Sequence, residues 1–419
     1  MSDPYTVRPL RDSDEFAAWA RMTSDAYGMD WHEGGLRNAR GSVDLRRTLA
    51  VFDEAAGIPV VGGAVIYSRA LTVPGAVQQV AGVAMVAVAP THRRRGLLTA
   101  MMRRQLTDLY EGGGEAVAAL NASEAVIYGR FGYGPATRLA RYEGDKRRMR
   151  LRGDVDTGEG TIRLLDRETA RPLIEKAYDT ARARTVGWLE RTAPFWEARL
   201  LETEQVRGGA TRLRYAVHTE PGGAVTGYAL YRLRAGFGTP EHPGTVQVVE
   251  LAATTRQAYA ALWDYLVGID IHFRLTYDGA PDEALPHLLV DARAVQAVEQ
   301  DNVWVRLVDV GRALAGRRYG TPLDVVLEVE DPFCPWNTGR YRLTADGERA
   351  ECARTRQAAD LRLGAAELGA AYLGGTTLAA LGAAGRVTEL RRGALARTSA
   401  AFRGEREPFH PAGGSFPAL

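Results

Sequence analysis

The chain has 419 residues, 46% of them hydrophobic and 25% charged. These are the proportions of a soluble globular protein, and the length exceeds one ordinary domain, so two or three folded units are expected. Lys and Arg number 53 against 51 Asp and Glu, a formal net charge of +2; no field of one sign extends over the molecule to grip nucleic acid or an anionic membrane. No run of about 18 apolar residues occurs. The start, MSDPYTVRPLRDSDEF, lacks the cationic then apolar order of a signal peptide. A cytoplasmic protein is expected, with Cys334 and Cys352 as reduced thiols.

In chain order, residues 1–150 alternate helix and strand in an α/β pattern. A helix is predicted at Asp14–Tyr27, strands at Ile58–Tyr67 and Val80–Val88, a helix at Gly96–Tyr110 and a strand at Ala116–Asn121. Gly112-Gly113-Gly114 stops the second helix, because glycine takes the left-handed cap without a Cβ penalty. The charged run YEGDKRRMRLR and the glycines after it mark a border near 150. Residues 151–300 repeat the theme: helices at Ala170–Ala183 and Pro194–Leu201, a hairpin turning at Gly222-Gly223, a strand at Thr245–Leu251 and a helix at Thr255–Val267. Trp188, Phe195 and Trp196 read as core. Residues 301–419 hold five short strands and helices at Ala365–Leu373 and Leu378–Ala384, followed by the Pro- and Gly-rich EREPFHPAGGSFPAL, whose composition reads as a dangling tail.

Chemistry concentrates between Val83 and Thr99. A strand of small and branched residues ends at Pro90, which cannot donate to a sheet ladder. Arg93, Arg94, Arg95 and Gly96 follow, directly before a helix with Leu98, Met101, Met102, Leu106 and Leu109 on its apolar stripe. A helix N-terminus with free N–H groups, a glycine that permits close approach and three cations form a cradle for a pyrophosphate. A P-loop is absent, Gly129-x-x-Gly132-x-Gly134 has the wrong spacing for a dinucleotide turn, and no G-x-S-x-G elbow marks a hydrolase. The seven histidines lack H-x3-H or HExxH spacing, so no metal is expected, and His92 reads as a surface residue of the turn.

The stretch V-x-V-x-P-x-x-R-R-x-G, at Val86, Val88, Pro90, Arg93, Arg94 and Gly96, resembles the CoA-binding signature of the GNAT acyltransferases. The resemblance implies that Val86, Ala87 and Val88 pair with the pantetheine arm of acetyl-CoA. It implies that Arg93, Arg94, Arg95, Gly96, Leu97, Leu98 and Thr99 bind the pyrophosphate, joined by Ser123 and Glu124. Leu98 stands where the general signature has a small residue. Ser123 is a candidate N-cap for a short helix that carries Tyr128. In SEAVIYGRFGYGPAT, Tyr128 resembles the tyrosine that protonates the departing thiolate, while Tyr133 reads as core. A phenol near pKa 10 facing a thiol near 8.5 has the chemistry for that role.

This wording together with PTHRRRGLL resembles the Eis-type aminoglycoside and amine N-acetyltransferases. That resemblance implies tandem GNAT-like domains, 1–150 with the CoA site and 151–300 without it, then a sterol-carrier-protein-like domain at 301–419, assembled as a homohexamer. It also implies a chain-terminal carboxylate as general base, here that of Leu419, three residues beyond Phe416. Asp25, Asp30, Trp31, His32 and Glu33, at or after the end of the first helix, are candidate contacts for a cationic amine acceptor. The reading is an acetyl-CoA-dependent N-acetyltransferase working by direct amine attack. Acylation of peptide lysines or of a biosynthetic amine, and a non-catalytic ligand-binding or scaffold role, remain alternatives.

Overall fold

The computed structural model describes residues 5–29, 40–55, 57–236 and 243–411. Three sheets organise it. The first has seven strands in the order β1 (Tyr5–Pro9), β2 (Thr48–Asp53), β3 (Ile58–Val73), β4 (Ala76–Val88), β5 (Val117–Asn121), then β14 (Val303–Leu307) and β6 (Gly134–Pro135). The second also has seven: β13 (Val295–Asp301), β7 (Arg138–Asp145), β12 (Arg274–Gly279), β11 (Thr245–Ala253), β10 (Val225–Arg234), β9 (Arg214–Thr219) and β8 (Thr161–Leu165). The third has five, β17 (Ala350–Arg354), β16 (Gly339–Ala345), β15 (Leu323–Glu330), β18 (Leu361–Gly364) and β19 (Val387–Glu389).

Two strands cross the borders expected near 150 and 300. β7 leaves the first unit and pairs with β12 and β13 of the second, while β14 returns to pair with β5 and β6 of the first. Each sheet is completed by a strand encoded beside the other. The reason is the edge problem: β5, largely buried, and β12, buried at every second residue, would otherwise leave a row of ladder donors and acceptors unpaired. The charged run at 142–152 and the preceding Arg141 form ion pairs along and after β7, Arg141 with Asp278, Arg147 with Asp145 and Arg148 with Asp291.

The amphipathic helices sit where their periodicity puts them. In α1 (Ser13–Tyr27) Phe16, Trp19, Ala20 and Met22 are buried, and the Asp12 carboxylate caps the N–H groups of Asp14 and Glu15. In α2 (Leu97–Glu111) Leu97, Met101, Met102, Leu106 and Leu109 are buried, and Gly113 supplies the left-handed residue after its end. Trp188, Phe195 and Trp196 are core residues as expected, and Cys334 and Cys352 are free thiols. The tail differs from its composition: Pro408, His410 and Pro411 are buried and Phe409 is half-buried. Their contacts lie in an interdomain crevice that no local pattern announces. No helix among the described residues is long and apolar enough to cross a membrane.

The third unit shares its core with the first sheet: Val117, Val303 and Val305 pack in one cluster with Leu327, Leu343, Leu368 and Phe402. Glycine permits the approach. A Cβ on Gly369 would lie 2.2 Å from the Val305 carbonyl oxygen, and one on Gly134 would lie 1.9 Å from that of Ala366. Across the same seam the fully buried Arg306 of β14 donates to the Asp331 carboxylate at 2.5 Å. Replacing one partner of such a pair leaves an uncompensated buried charge, at about 3–5 kcal/mol. Asp331→Asn is expected to lower stability by several kcal/mol in urea unfolding, while the double variant Arg306→Met/Asp331→Leu recovers part of the loss. A fragment ending at residue 150 lacks β14 and is expected to show no cooperative unfolding transition.

Candidate active site

The site begins with a divergence of strands. β4 and β5 pair in parallel only at Val80–Gly82 with Val117–Ala119. Beyond that β4 carries one extra residue opposite β3, between Ala84 and Ala87, and Met85 takes a left-handed backbone at φ 53°. Such a bulge bends the strand and re-aims its groups. The gap is a cleft of about 650 Å³ whose walls are Val86–Val88 on one side and Ser123, Glu124, Ile127 and Tyr128 on the other. At the cleft the Tyr27 hydroxyl donates to the Val86 carbonyl oxygen at 3.1 Å.

The cationic turn closes one end. Arg94 (φ 63°) and Gly96 (φ 82°) are both left-handed, and Gly96 begins α2 with no side chain capping the helix. The N–H groups of the first turn are thus directed at the cleft, with Gly96, Leu97, Leu98 and Thr99 lining it. Arg93 and Arg94 also line it, exposed and without an ion-pair partner among the described residues. Arg95 does not: its guanidinium donates to the Tyr5 hydroxyl at 2.7 Å and to the Thr91 carbonyl at 3.1 Å, outside the cleft lining. Leu98 lines the cleft while packing into the apolar clusters on either side of α2, which is how a larger residue is accommodated there.

Tyr128 ends α3 (Ala125–Tyr128) and is buried, its ring edge-on to Tyr133 at 6.1 Å. The N-cap of α3 is Glu124, not Ser123, and no side chain caps it. Ser123 and Glu124 are instead exposed on the cleft wall. Behind Tyr128 the chain turns through Gly132 (φ 82°), where a Cβ would lie 2.4 Å from Nη1 of Arg306, and Tyr133 is fully buried as core. Burial, reinforced by Tyr27 and the Glu124 carboxylate, pushes the Tyr128 phenol well above its ordinary value. The hydroxyl therefore stays protonated through neutral and moderately alkaline pH.

Three residues at the cleft are poorly marked in the sequence. Tyr27 is visible there only as a helix-end aromatic. Arg130 lines the cleft as a third cation without an ion-pair partner among the described residues, and its place two residues after Tyr128 is the available signal. His92 is not a surface residue: it is buried, with Nε2 3.3 Å from Oδ2 of Asp53 and Nδ1 2.8 Å from the Thr91 hydroxyl. Of the acceptor candidates, Asp25 is exposed on the last turn of α1, beside Ala26 and Tyr27 of the lining. Asp30, Trp31, His32 and Glu33, and Leu419, lie outside the described residues. No group of three or more His, Cys, Asp or Glu among the described residues is arranged to hold a metal ion.

Comparison with known proteins gives the kinds of domain and their order. Residues 6–136 and 187–307 each match the acetyltransferase (GNAT) domain, and residues 310–411 match the sterol carrier protein domain. An uncharacterized N-acetyltransferase of Streptomyces coelicolor is 45% identical over 91% of this chain and 94% of its own length. The N-acetyltransferase Eis of Mycobacterium tuberculosis is 38% identical over 83% of this chain and 84% of its own. The chain belongs to the Eis-type GNAT N-acetyltransferases. Among solved structures, Eis1 from Mycobacterium abscessus superposes with a TM-score of 0.84 at 34% identity, covering 97% of this chain and 99% of that one. GNAT acetyltransferases use acetyl-CoA, and the cleft of this Eis-type chain suits it: an open strand edge for the amides of an extended arm, then an uncapped helix start beside Arg93 and Arg94, which have no ion-pair partner among the described residues, for phosphates. Arg93→Ala and Arg94→Ala are each expected to weaken CoA binding about tenfold in calorimetry, one charge-assisted contact apiece. Arg95→Ala, whose guanidinium is engaged elsewhere, is expected to stay within about threefold of the parent.

Proposed function

We propose that the cleft transfers an acetyl group from acetyl-CoA to a primary amine of a small cationic acceptor such as an aminoglycoside, by direct attack in a ternary complex. One observation carries the reading: Tyr128, the open edge at Val86–Val88 and the Arg93–Gly96 turn line a single cleft. Acetyl-CoA supplies the activated acyl group. The edge left free by the β4 bulge holds the arm, Arg93 and Arg94 hold the phosphates, and positioning of two reactants supplies much of the rate. Glu124 and Asp25, exposed carboxylates on and beside the rim, favour an ammonium group over a neutral acceptor.

The raised phenol refines the role of Tyr128. Full proton transfer to a thiolate, whose acid has a pKa of about 8.5, would run uphill from a group well above about 10. Tyr128 acts mainly by donating a hydrogen bond to the departing sulfur, which spreads the developing charge. The amine must lose a proton, and the carboxylate of Leu419 is proposed as its acceptor, directly or through water. An α-carboxylate near 3.5 is a weak base for an alkylammonium, so desolvation in the cleft must raise it.

Tyr128→Phe is expected to reduce kcat by about 10²–10³ with CoA affinity unchanged. In the parent no alkaline limb from Tyr128 should appear below about pH 10, because a raised phenol loses its proton only above its ordinary range. CoA release measured against a panel of aminoglycosides and polyamines tests the acceptor class, and an unchanged kcat in Tyr128→Phe would remove the tyrosine from the chemistry. Deleting Pro417–Leu419 should change kcat and its acidic limb; the parental pH profile in that variant would remove Leu419.

A further inference from the structure

The turn between β4 and α2 has an outer and an inner side. Arg93 and Arg94 line the cleft on the outer side. His92 and Arg95 tie the turn to the sheet on the inner side. Pro90 follows the end of β4, and the chain makes one 3₁₀ turn, Pro90–His92, in which the His92 N–H donates to the Ala89 carbonyl at 2.8 Å. The Ala89 N–H donates to the Val61 carbonyl of β3 at 2.9 Å. The imidazole is thereby held against the end of β2, with Nε2 3.3 Å from Oδ2 of Asp53. The Tyr5 ring of β1 meets it edge-on at 6.2 Å, and the Tyr5 hydroxyl accepts from Arg95.

Both members of the pair are buried, His92 at 5% exposure and Asp53 at 7%, yet His92 also lines the cleft. A buried carboxylate needs a donor, and a buried imidazole needs a partner for each nitrogen. The arrangement meets both needs in two protonation states. In the neutral ring Nε2–H donates to Asp53, and Nδ1 accepts the Thr91 hydroxyl at 2.8 Å. In the imidazolium Nδ1–H donates to the Thr91 oxygen, and the hydroxyl proton turns to solvent, which exposed Thr91 permits. No heavy atom has to move. The ring can therefore change charge in place, and histidine does so near neutral pH.

This charge change takes place at the back of an anion site. Around the imidazole stand Asp53 from β2, Tyr5 from β1, and Arg93, Arg94 and Arg95 from its own turn; elsewhere on the cleft lining, Glu124 and Arg130 oppose each other in sign. Asp53 stabilises a positive ring, and the arginines repel one. A bound pyrophosphate offsets the arginines that face it, so the balance moves toward the imidazolium. Anion and proton then favour each other's binding by the same factor in either direction.

We propose that His92 is a proton-linked positioning residue of the CoA site: Asp53 and Thr91 hold it behind the Arg93–Gly96 turn, and it takes up a proton when the pyrophosphate binds. The inference rests on the reading of the cleft as an acetyl-CoA site. One added charge close behind a doubly charged pyrophosphate in a wet cleft strengthens binding about fivefold. Linkage then sets a maximum uptake of about 0.4 proton per ligand. Affinity is highest where the imidazole is charged and declines as pH rises through its ionisation.

Calorimetry of the full chain in two buffers of different ionisation enthalpy reads the uptake directly. The probe is dephospho-CoA, which lacks the phosphate monoester whose second ionisation, at about 6, would mask the signal. The parent should take up protons between about pH 6 and 8, with affinity about fivefold weaker at the alkaline end. His92→Gln, whose amide can still donate to Asp53, should bind with the parent's alkaline-limit affinity at every pH and with no uptake. Asp53→Asn should move the uptake to lower pH. Binding by the parent without proton uptake overturns the proposal and needs no variant to do so. Equal weakening at all pH in His92→Gln, with the parental uptake retained, overturns it by leaving His92 a structural pin. No binding of dephospho-CoA at any pH would overturn the reading of the cleft itself.

Discussion

Parallel strands that part company leave polar backbone on both edges, and buried N–H and C=O groups must find partners. The parting of β4 and β5 after Gly82 and Ala119 is the constraint on which the rest of the molecule depends. It obliges the first unit to present an open edge to a ligand, with Met85 in the left-handed region as the local strain that keeps the strand turned away. At the same parting in the second unit the segment 404–409 lines the cleft and bonds to Asp282 and Val186. The two units differ in the connection to the next helix: a long cationic turn in one case, two threonines in the other.

The other edge of each diverging strand is closed by exchange. β14 lies against β5, and β7 against β12. This ties the acyltransfer wall to both later units, since β14 also carries Arg306, which is buried against Asp331 of the third unit and approaches Gly132 behind Tyr128. Tyr128 therefore stands on a floor that residues more than 170 positions away complete. A cavity or charge introduced at Asp331 would be felt first in the packing under Tyr133, and only through it at the tyrosine hydroxyl.

What the sequence disclosed and what it hid divide along the same line. The strand, proline, arginine turn and amphipathic helix of Val83–Leu109 are local, so period and punctuation were enough to read the cradle, and the capping glycines and the tandem pattern came the same way. β1, β6, β8 and β19 are short, β7, β12 and β13 have exposed positions, and β2 is buried throughout and so shows no alternation; none of them is legible in the sequence. The 298–301 part of β13 is exposed throughout, so no alternation marks it. Arg95 is indistinguishable in sequence from Arg93 and Arg94; only the direction of its side chain toward Tyr5 separates them. His92 and the tail were misjudged for a related reason: the partners that bury them, Asp53 for one and Trp188 with Asn302 for the other, lie 39 and more than 100 residues away.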